Sequence, residues 1–316
     1  MKLQRFALAL AGVGMVAATA ASVPASAQPS PKPTWSSKAV QSNTAKAATA
    51  GTCLNSVALP SASPIVNGMD ITAGNPPRAE MYDPPIDNFV ATRANATWYW
   101  AANAALTQFY YYGLFLQGGN LYRHTTYVPE NKPPVPTFKR IGSGWTSFKS
   151  IATSNYNLAQ PRHSYLYGLN SNGSLYRYAM IGGGFKALGP LPGFRSFRAM
   201  TVISETATYD TLLMTTNTGG LYTVHIPVAA GAKPVLKLIR STGWATYDSL
   251  AVQSCGTRGG SMIVAVDRDT KTGYQYAMSK ANGTATAITA YGKIPAAFDG
   301  VDHVSMTTAY DQLVGE

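Results

Sequence analysis

Gly-Ser-Gly-Trp-Thr-Ser-Phe-Lys-Ser-Ile at 142–151 returns as Ser-Thr-Gly-Trp-Ala-Thr-Tyr-Asp-Ser-Leu at 241–250. Each copy holds two large apolar residues three positions apart, Trp145/Phe148 and Trp244/Tyr247. The same spacing recurs at Ile86/Phe89, Phe194/Phe197 and Phe298/Val301, with first members 59, 49, 50 and 54 residues apart. A period near fifty residues marks a repeat architecture, because a unit of that size buries its apolar surface only against its neighbours.

About thirty residues after each opening comes a second landmark. Gly-Gly-Asn-Leu-Tyr-Arg-His (118–124), Asn-Gly-Ser-Leu-Tyr-Arg-Tyr (172–178), Thr-Gly-Gly-Leu-Tyr-Thr-Val (218–224) and Thr-Gly-Tyr-Gln-Tyr-Ala-Met (272–278) align. Strand-like runs such as 165–169, 211–214 and 262–266 precede these turns, and strand, Gly-rich turn, strand is a hairpin signal. A further short strand, 138–141 or 236–239, leads to the next opening. One unit therefore holds about four strands, as a propeller blade does. Helical periodicity is scarce; 97–106 suits a helical turn or a strand.

Five openings stand against four hairpins, and a fifth hairpin would fall beyond Glu316. The spacing predicts that the last blade starts near Phe298 and runs to a strand at Tyr310–Val314. Residues 53–85 then complete it, with 56–59 and 64–66 as candidate strands. The expected fold is all-β: a five-bladed β-propeller over 53–316, closed by N- and C-terminal strands in one shared blade, which removes open sheet edges.

The pairing of Gly-Ser-Gly-Trp-Thr-Ser-Phe with Gly-x-Leu-Tyr-Arg resembles the tachylectin-2-like repeats, clearly over 118–254 and less so over 86–117 and 255–310. That resemblance implies a five-bladed propeller that binds N-acetylated amino sugars, with one shallow site per repeat. Departures from the pattern are Pro192-Gly-Phe194 and Ala296-Ala-Phe298 at two openings, and Gln275-Tyr276 for Leu-Tyr. The segment 136–141 also lacks the Asn-Trp pair of those repeats.

Residues 1–27 read as a secretory signal: Lys2 and Arg5, an Ala/Gly-rich apolar stretch, then Ala25-Ser-Ala27. Residues 28–52, rich in Pro, Ser, Thr, Ala and Lys, read as a disordered linker. The expected product is secreted and extracellular, without membrane insertion once the signal is removed. The net charge of +11 falls to +6 over 53–316, where 20 basic residues face 14 acidic ones without Lys/Arg clusters. That balance argues against a nucleic-acid partner. Cys53 and Cys255, the chain's 2 cysteines, are expected to form one disulfide in an oxidising compartment.

No nucleophile motif is present, and His124, His163, His225 and His303 occupy different points of their repeats. Glutamates number four, so paired carboxylates are scarce, and Asp248 and Asp299 suit turns. Asp267-Arg-Asp-Thr-Lys-Thr-Gly273 lacks the third acid and closing glutamate of a calcium loop and reads as a turn. No metal or cofactor is expected, and no catalysis.

The chain has 19 tyrosines and 5 tryptophans, residues that offer sugar C–H groups a flat face with a polar edge. The candidate carbohydrate-binding residues are Asn120, Tyr122, Asn172, Tyr176, Asn217, Tyr222, Trp145 and Trp244. Each also has a structural use: the tryptophans between blades, the tyrosines in strands, the asparagines in turns. The sequence supports a monomeric, lectin-like protein whose partner is a glycan or cell-envelope polysaccharide. A protein-interaction scaffold and, further off, a glycan-directed hydrolase are the alternatives.

Overall fold

The computed structural model describes residues 53–60, 66–84, 92–255, 260–300, 302–309 and 311–316. The expected leader 1–27 and linker 28–52 lie outside the described residues, as do Ile86, Phe89, Val301 and Tyr310 of the expected landmarks.

Every regular element among the described residues is a strand. The first three are β1 (Leu54–Pro60), β2 (Val66–Thr72) and β3 (Arg78–Tyr82). Next come β4 (Thr92–Asn95), β5 (Trp98–Ala102), β6 (Phe109–Gln117), β7 (Asn120–Val128) and β8 (Val135–Ser143). A four-stranded sheet follows, of β9 (Phe148–Tyr156), β10 (His163–Asn170), β11 (Ser174–Ile181) and β12 (Gly184–Pro192). A second comprises β13 (Phe197–Glu205), β14 (Tyr209–Thr216), β15 (Leu221–Pro227) and β16 (Val235–Arg240). A third comprises β17 (Ser249–Cys255), β18 (Gly260–Asp267), β19 (Thr272–Met278) and β20 (Ile288–Lys293), and β21 (Val304–Thr308) ends the series. Among the described residues no helix is long and apolar enough to cross a membrane.

Each of these three sheets is an antiparallel meander, so consecutive hairpins build one unit. The remaining strands form one nine-stranded sheet in the order β3-β2-β1-β21-β5-β6-β7-β8, with β4 beside β6. In it β21 pairs antiparallel with β1 (Val57 opposite Ser305) and parallel with β5 (Met306 opposite Trp98). The two ends of the folded region are thus joined through backbone hydrogen bonds.

The first strands of neighbouring sheets pack on one another, β4 on β9, β9 on β13, β13 on β17 and β17 on β21. This is the radial arrangement of a β-propeller. Burial follows the radius: β14 is buried at seven of its eight positions, whereas β12 is mostly exposed. Inner strands are covered on both faces, and the sheets fan apart outward.

Apolar side chains gather between the sheets. Trp145, Phe148 and Leu166 fill one layer with Leu114 and Leu121; Phe194, Phe197 and Tyr167 fill the next. Trp244, Tyr247 and Ile263 occupy a third. Phe298, Ile71 and Val264 form a fourth, and Trp98, Phe109, Ala58 and Met306 gather within the nine-stranded sheet, across its β1-β21-β5 seam.

The end of the chain departs from the sequence expectation. Its last strand is Val304–Thr308, not the run at Tyr310–Val314. Val304 and Met306 alternate into the core at 8% and 3% exposure, while Val314 is 38% exposed. The chain turns where Asp311 N donates to Thr308 Oγ1, and Val314 then makes an isolated bridge to Ser204. Within 97–106 the strand reading holds, since β5 spans Trp98–Ala102. Residues 56–59 lie inside β1, and β2 begins at Val66.

Cys53 and Cys255 are joined by a disulfide, with Cα atoms 5.4 Å apart, which ties the entry of β1 to the end of β17.

Candidate functional site

The opening motif has a backbone reason. Gly144, Gly193 and Gly243, each immediately before its aromatic residue, hold φ of 79°, 98° and 94°, a region glycine enters without steric cost. The amide that follows then docks on the preceding hairpin turn: Trp145 N donates to Gly119 O, Phe194 N to Gly173 O and Trp244 N to Gly219 O. The aromatic ring is turned inward onto its partner three residues later. Trp145 and Phe148 centroids lie 4.4 Å apart, and Trp244 and Tyr247 centroids 5.4 Å apart. Trp145 and Trp244 are 2% and 5% exposed. Neither ring faces solvent, so both belong to the core and not to a sugar-binding surface.

The hairpin turns stay at the surface. At the turn between β10 and β11, Asn172 Oδ1 accepts from Ser174 N, and Asn172 Nδ2 donates to the Tyr176 hydroxyl at 3.1 Å. Asn170 Nδ2 donates to Ser147 Oγ at 2.9 Å, and Arg195 Nη2 reaches Asn172 O at 3.4 Å. Asn170, Asn172, Tyr176, Tyr178, Ser147, Phe148 and Arg195 line one open hollow of about 580 Å³. Two predicted residues, Asn172 and Tyr176, thus line the same hollow. Burial pushes the neighbouring Tyr178 hydroxyl up to about 12, so it remains a hydrogen-bond donor at neutral pH.

The other predicted residues do not repeat this arrangement. Tyr122 lies flat on Phe115, centroids 5.3 Å apart, and Asn120 is half-buried on the first residue of β7. Tyr222 meets Phe197 edge-on, and Asn217 lines a different hollow of about 550 Å³ beside the first residues of the innermost strands. Sequence reading missed Arg195. It follows Phe194 where the other openings have Thr146 and Ala245, and only that comparison exposes it.

That second hollow carries a position read only in three dimensions. Arg93, Lys149, Arg198, Asp248 and Asp302 line it, each at the start of an innermost strand or just before one. Arg93 donates to Trp145 O and Phe148 O of the next unit, and Lys149 reaches Phe197 O at 3.5 Å. Arg198 bonds Ala245 O and the Asp248 carboxylate, which Arg268 also approaches at 3.8 Å. These side chains latch neighbouring units together.

Toward the other end of the inner strands, two acids are enclosed. Asp210 accepts from Ser154 Oγ and Tyr167 OH and lies 3.0 Å from His163 Nε2. Glu205, 3% exposed, accepts from Asn155 N. Burial, with the neighbouring Asp210 charge, pushes its carboxyl up to about 8. The C-terminal residues lie across this end, with Gly315 N donating to Ile203 O and Glu205 N to Leu313 O. Buried so deeply, neither acid meets an open substrate space.

The remaining residues singled out in the sequence have structural uses. Asp267 Oδ1 accepts from Asp269 N and Thr270 N, an Asx turn. Asp299 makes an exposed ion pair with Lys271. His124 and His303 are buried, and desolvation pushes both down to about 3. His225 Nδ1 lies 2.8 Å from Glu316 Oε2.

No family model matches the chain, and no curated protein matches it. Solved structures give distant likenesses. A fungal lectin of Aleuria aurantia, described as a six-bladed β-propeller with a fucose recognition mode, is 13% identical, with 79% of each chain covered and a TM-score of 0.43. An arginine-substituted form of AofleA from Arthrobotrys oligospora is 13% identical over 82% of this chain and 76% of that one, with a TM-score of 0.41. The α-L-arabinofuranosidase PaAbf62A of Podospora anserina is 13% identical over 60% and 64%, with a TM-score of 0.40.

Proposed function

We propose that this chain is a secreted, non-catalytic, carbohydrate-binding propeller of five blades, directed at N-acetylated amino sugars in surface polymers. The hollow at Asn172 and Tyr176 carries the reading. It combines a half-buried phenol, two side-chain amides, a serine hydroxyl and a guanidinium on an open surface. A pyranose needs such a combination: a flat face for its C–H groups and convergent polar groups for its hydroxyls and acetamide. The resemblance to tachylectin-2-like repeats supplies the amino-sugar class. Five blades follow from reading the nine-stranded sheet as two blades joined through β21 and β5; four apolar layers lie between separate sheets, and the cluster across the β1-β21-β5 seam of the nine-stranded sheet supports that reading. A single open hollow gives weak affinity, so useful retention would depend on polymeric ligand.

The test is titration calorimetry with N-acetylglucosamine and its oligomers beside a glycan array. Tyr176→Ala, which removes the stacking face, is expected to weaken binding roughly tenfold, about 1.4 kcal/mol. Absence of retention on any amino sugar, or full retention on amino sugars by a folded Asn172→Ala/Tyr176→Ala variant, refutes the proposal.

A further inference from the structure

A second cleft of about 400 Å³ opens between the β5-β6-β7 face and the β9-β10-β11 face, independent of the Asn172 hollow. Strand alternation places Tyr110, Tyr112 and Leu114 on one side of β6, and register sets Tyr99 and Thr125 beside Tyr112 and Arg123 beside Leu114. Thr153 and Asn155 of β9, Ser164 of β10 and Met180 of β11 form the opposite wall. Phe148 at the start of β9 borders the Asn172 hollow, while Thr153 and Asn155 toward its far end border this cleft.

Three groups in the cleft point to a ligand. Tyr110 is 44% exposed, its ring held by Tyr127 at 4.8 Å, so a rigid aromatic face is presented to solvent. Arg123 is half-buried, and no hydrogen bond or ion pair holds its guanidinium among the described residues. Thr153 Oγ1 is buried without a hydrogen-bond partner. A buried unpaired hydroxyl and an unpaired guanidinium both cost free energy that a ligand with matching oxygens would return. Among the described residues no carboxylate lines the cleft, so none of them gives Arg123 a counter-ion there.

We propose that this cleft binds a sugar ring bearing a carboxylate, a uronic acid unit. Arg123 takes the carboxylate in a forked pair, the exposed face of Tyr110 carries the ring's C–H groups, and the Thr153 hydroxyl and Asn155 amide meet ring hydroxyls. The cleft volume suits one or two such rings.

Methyl β-D-glucuronide and methyl β-D-glucoside, titrated into the full chain by saturation-transfer NMR and calorimetry, test this assignment. The glucuronide is expected to bind at least tenfold more tightly than the glucoside. Arg123→Ala should remove that preference, Arg123→Lys should restore part of it, and Tyr110→Ala should weaken both sugars. Circular dichroism melting confirms that each variant is folded. Equal affinity for the two sugars, no saturable binding of either, or a preference that survives Arg123→Ala overturns the proposal. Asn172→Ala/Tyr176→Ala should leave glucuronide binding intact, which separates failure at this cleft from failure at the amino-sugar hollow; loss there would overturn the claim of a distinct site.

Discussion

Replacing Glu205 by glutamine should reshape the dependence of stability on pH. Glu205 is raised from 4.5 to about 8 by burial and by Asp210, so the native chain keeps a proton that the unfolded chain has lost. A raised folded value stabilises fully below the ordinary carboxylate range and loses that contribution as pH rises through about 8. Each pH unit in this window removes about 1.4 kcal/mol. From pH 6.5 to 8 the loss is therefore about 2 kcal/mol. His124 and His303 act in the opposite sense, because both are lowered from 6.5 to about 3 and stay neutral in the native chain. Acidification below 6.5 protonates them in the unfolded chain alone and removes about 2.7 kcal/mol per unit from the pair. The gain from Glu205, joined by that from Asp302, whose carboxyl burial also raises, offsets part of this, and the net result is a stability maximum near pH 6.5. Glu205→Gln keeps the shape of the side chain and an acceptor for Asn155 N but binds no proton. Its alkaline limb should be flat and its acid limb steeper than in the parent. Urea unfolding followed by tryptophan fluorescence between pH 4.5 and 8.5, at constant ionic strength, measures both limbs. A parent chain equally stable at pH 6.5 and 8, or a glutamine variant that keeps the parent's alkaline slope, would refute the reasoning.

Two further changes probe the scaffold. Trp145→Ala empties a site that is 2% exposed between two sheets and should cost about 3–5 kcal/mol in urea unfolding; a loss under 1 kcal/mol would mean that the layer collapses around the gap. Gly243→Ala adds a methyl with nothing within 4 Å, so any effect is backbone strain at φ 94°, about 1–2 kcal/mol, and an unchanged unfolding midpoint would contradict that origin.

The repeat landmarks were legible because each has a local cause. A glycine must precede Trp145 and Trp244 to enter positive φ, and the apolar residue three positions on must meet the same layer. Period and hairpin spacing follow from those constraints, as does the need for residues 53–85 to complete the last sheet. Asn172 and Tyr176 meet because turn and strand register bring them together within four residues. Trp145 and Trp244 show the limit of residue type: an aromatic side chain that suits a sugar equally suits the core, and only burial decides.

By itself the sequence determined an all-β repeat whose two ends share one sheet, since period, glycine placement and apolar spacing are properties of neighbouring residues. The tertiary structure decided which end strand joins the two ends, which tyrosines face solvent, and that Arg123 and Thr153 line opposite walls of one cleft. Those depend on how facing sheets diverge, a distance between residues thirty positions apart that no local pattern encodes.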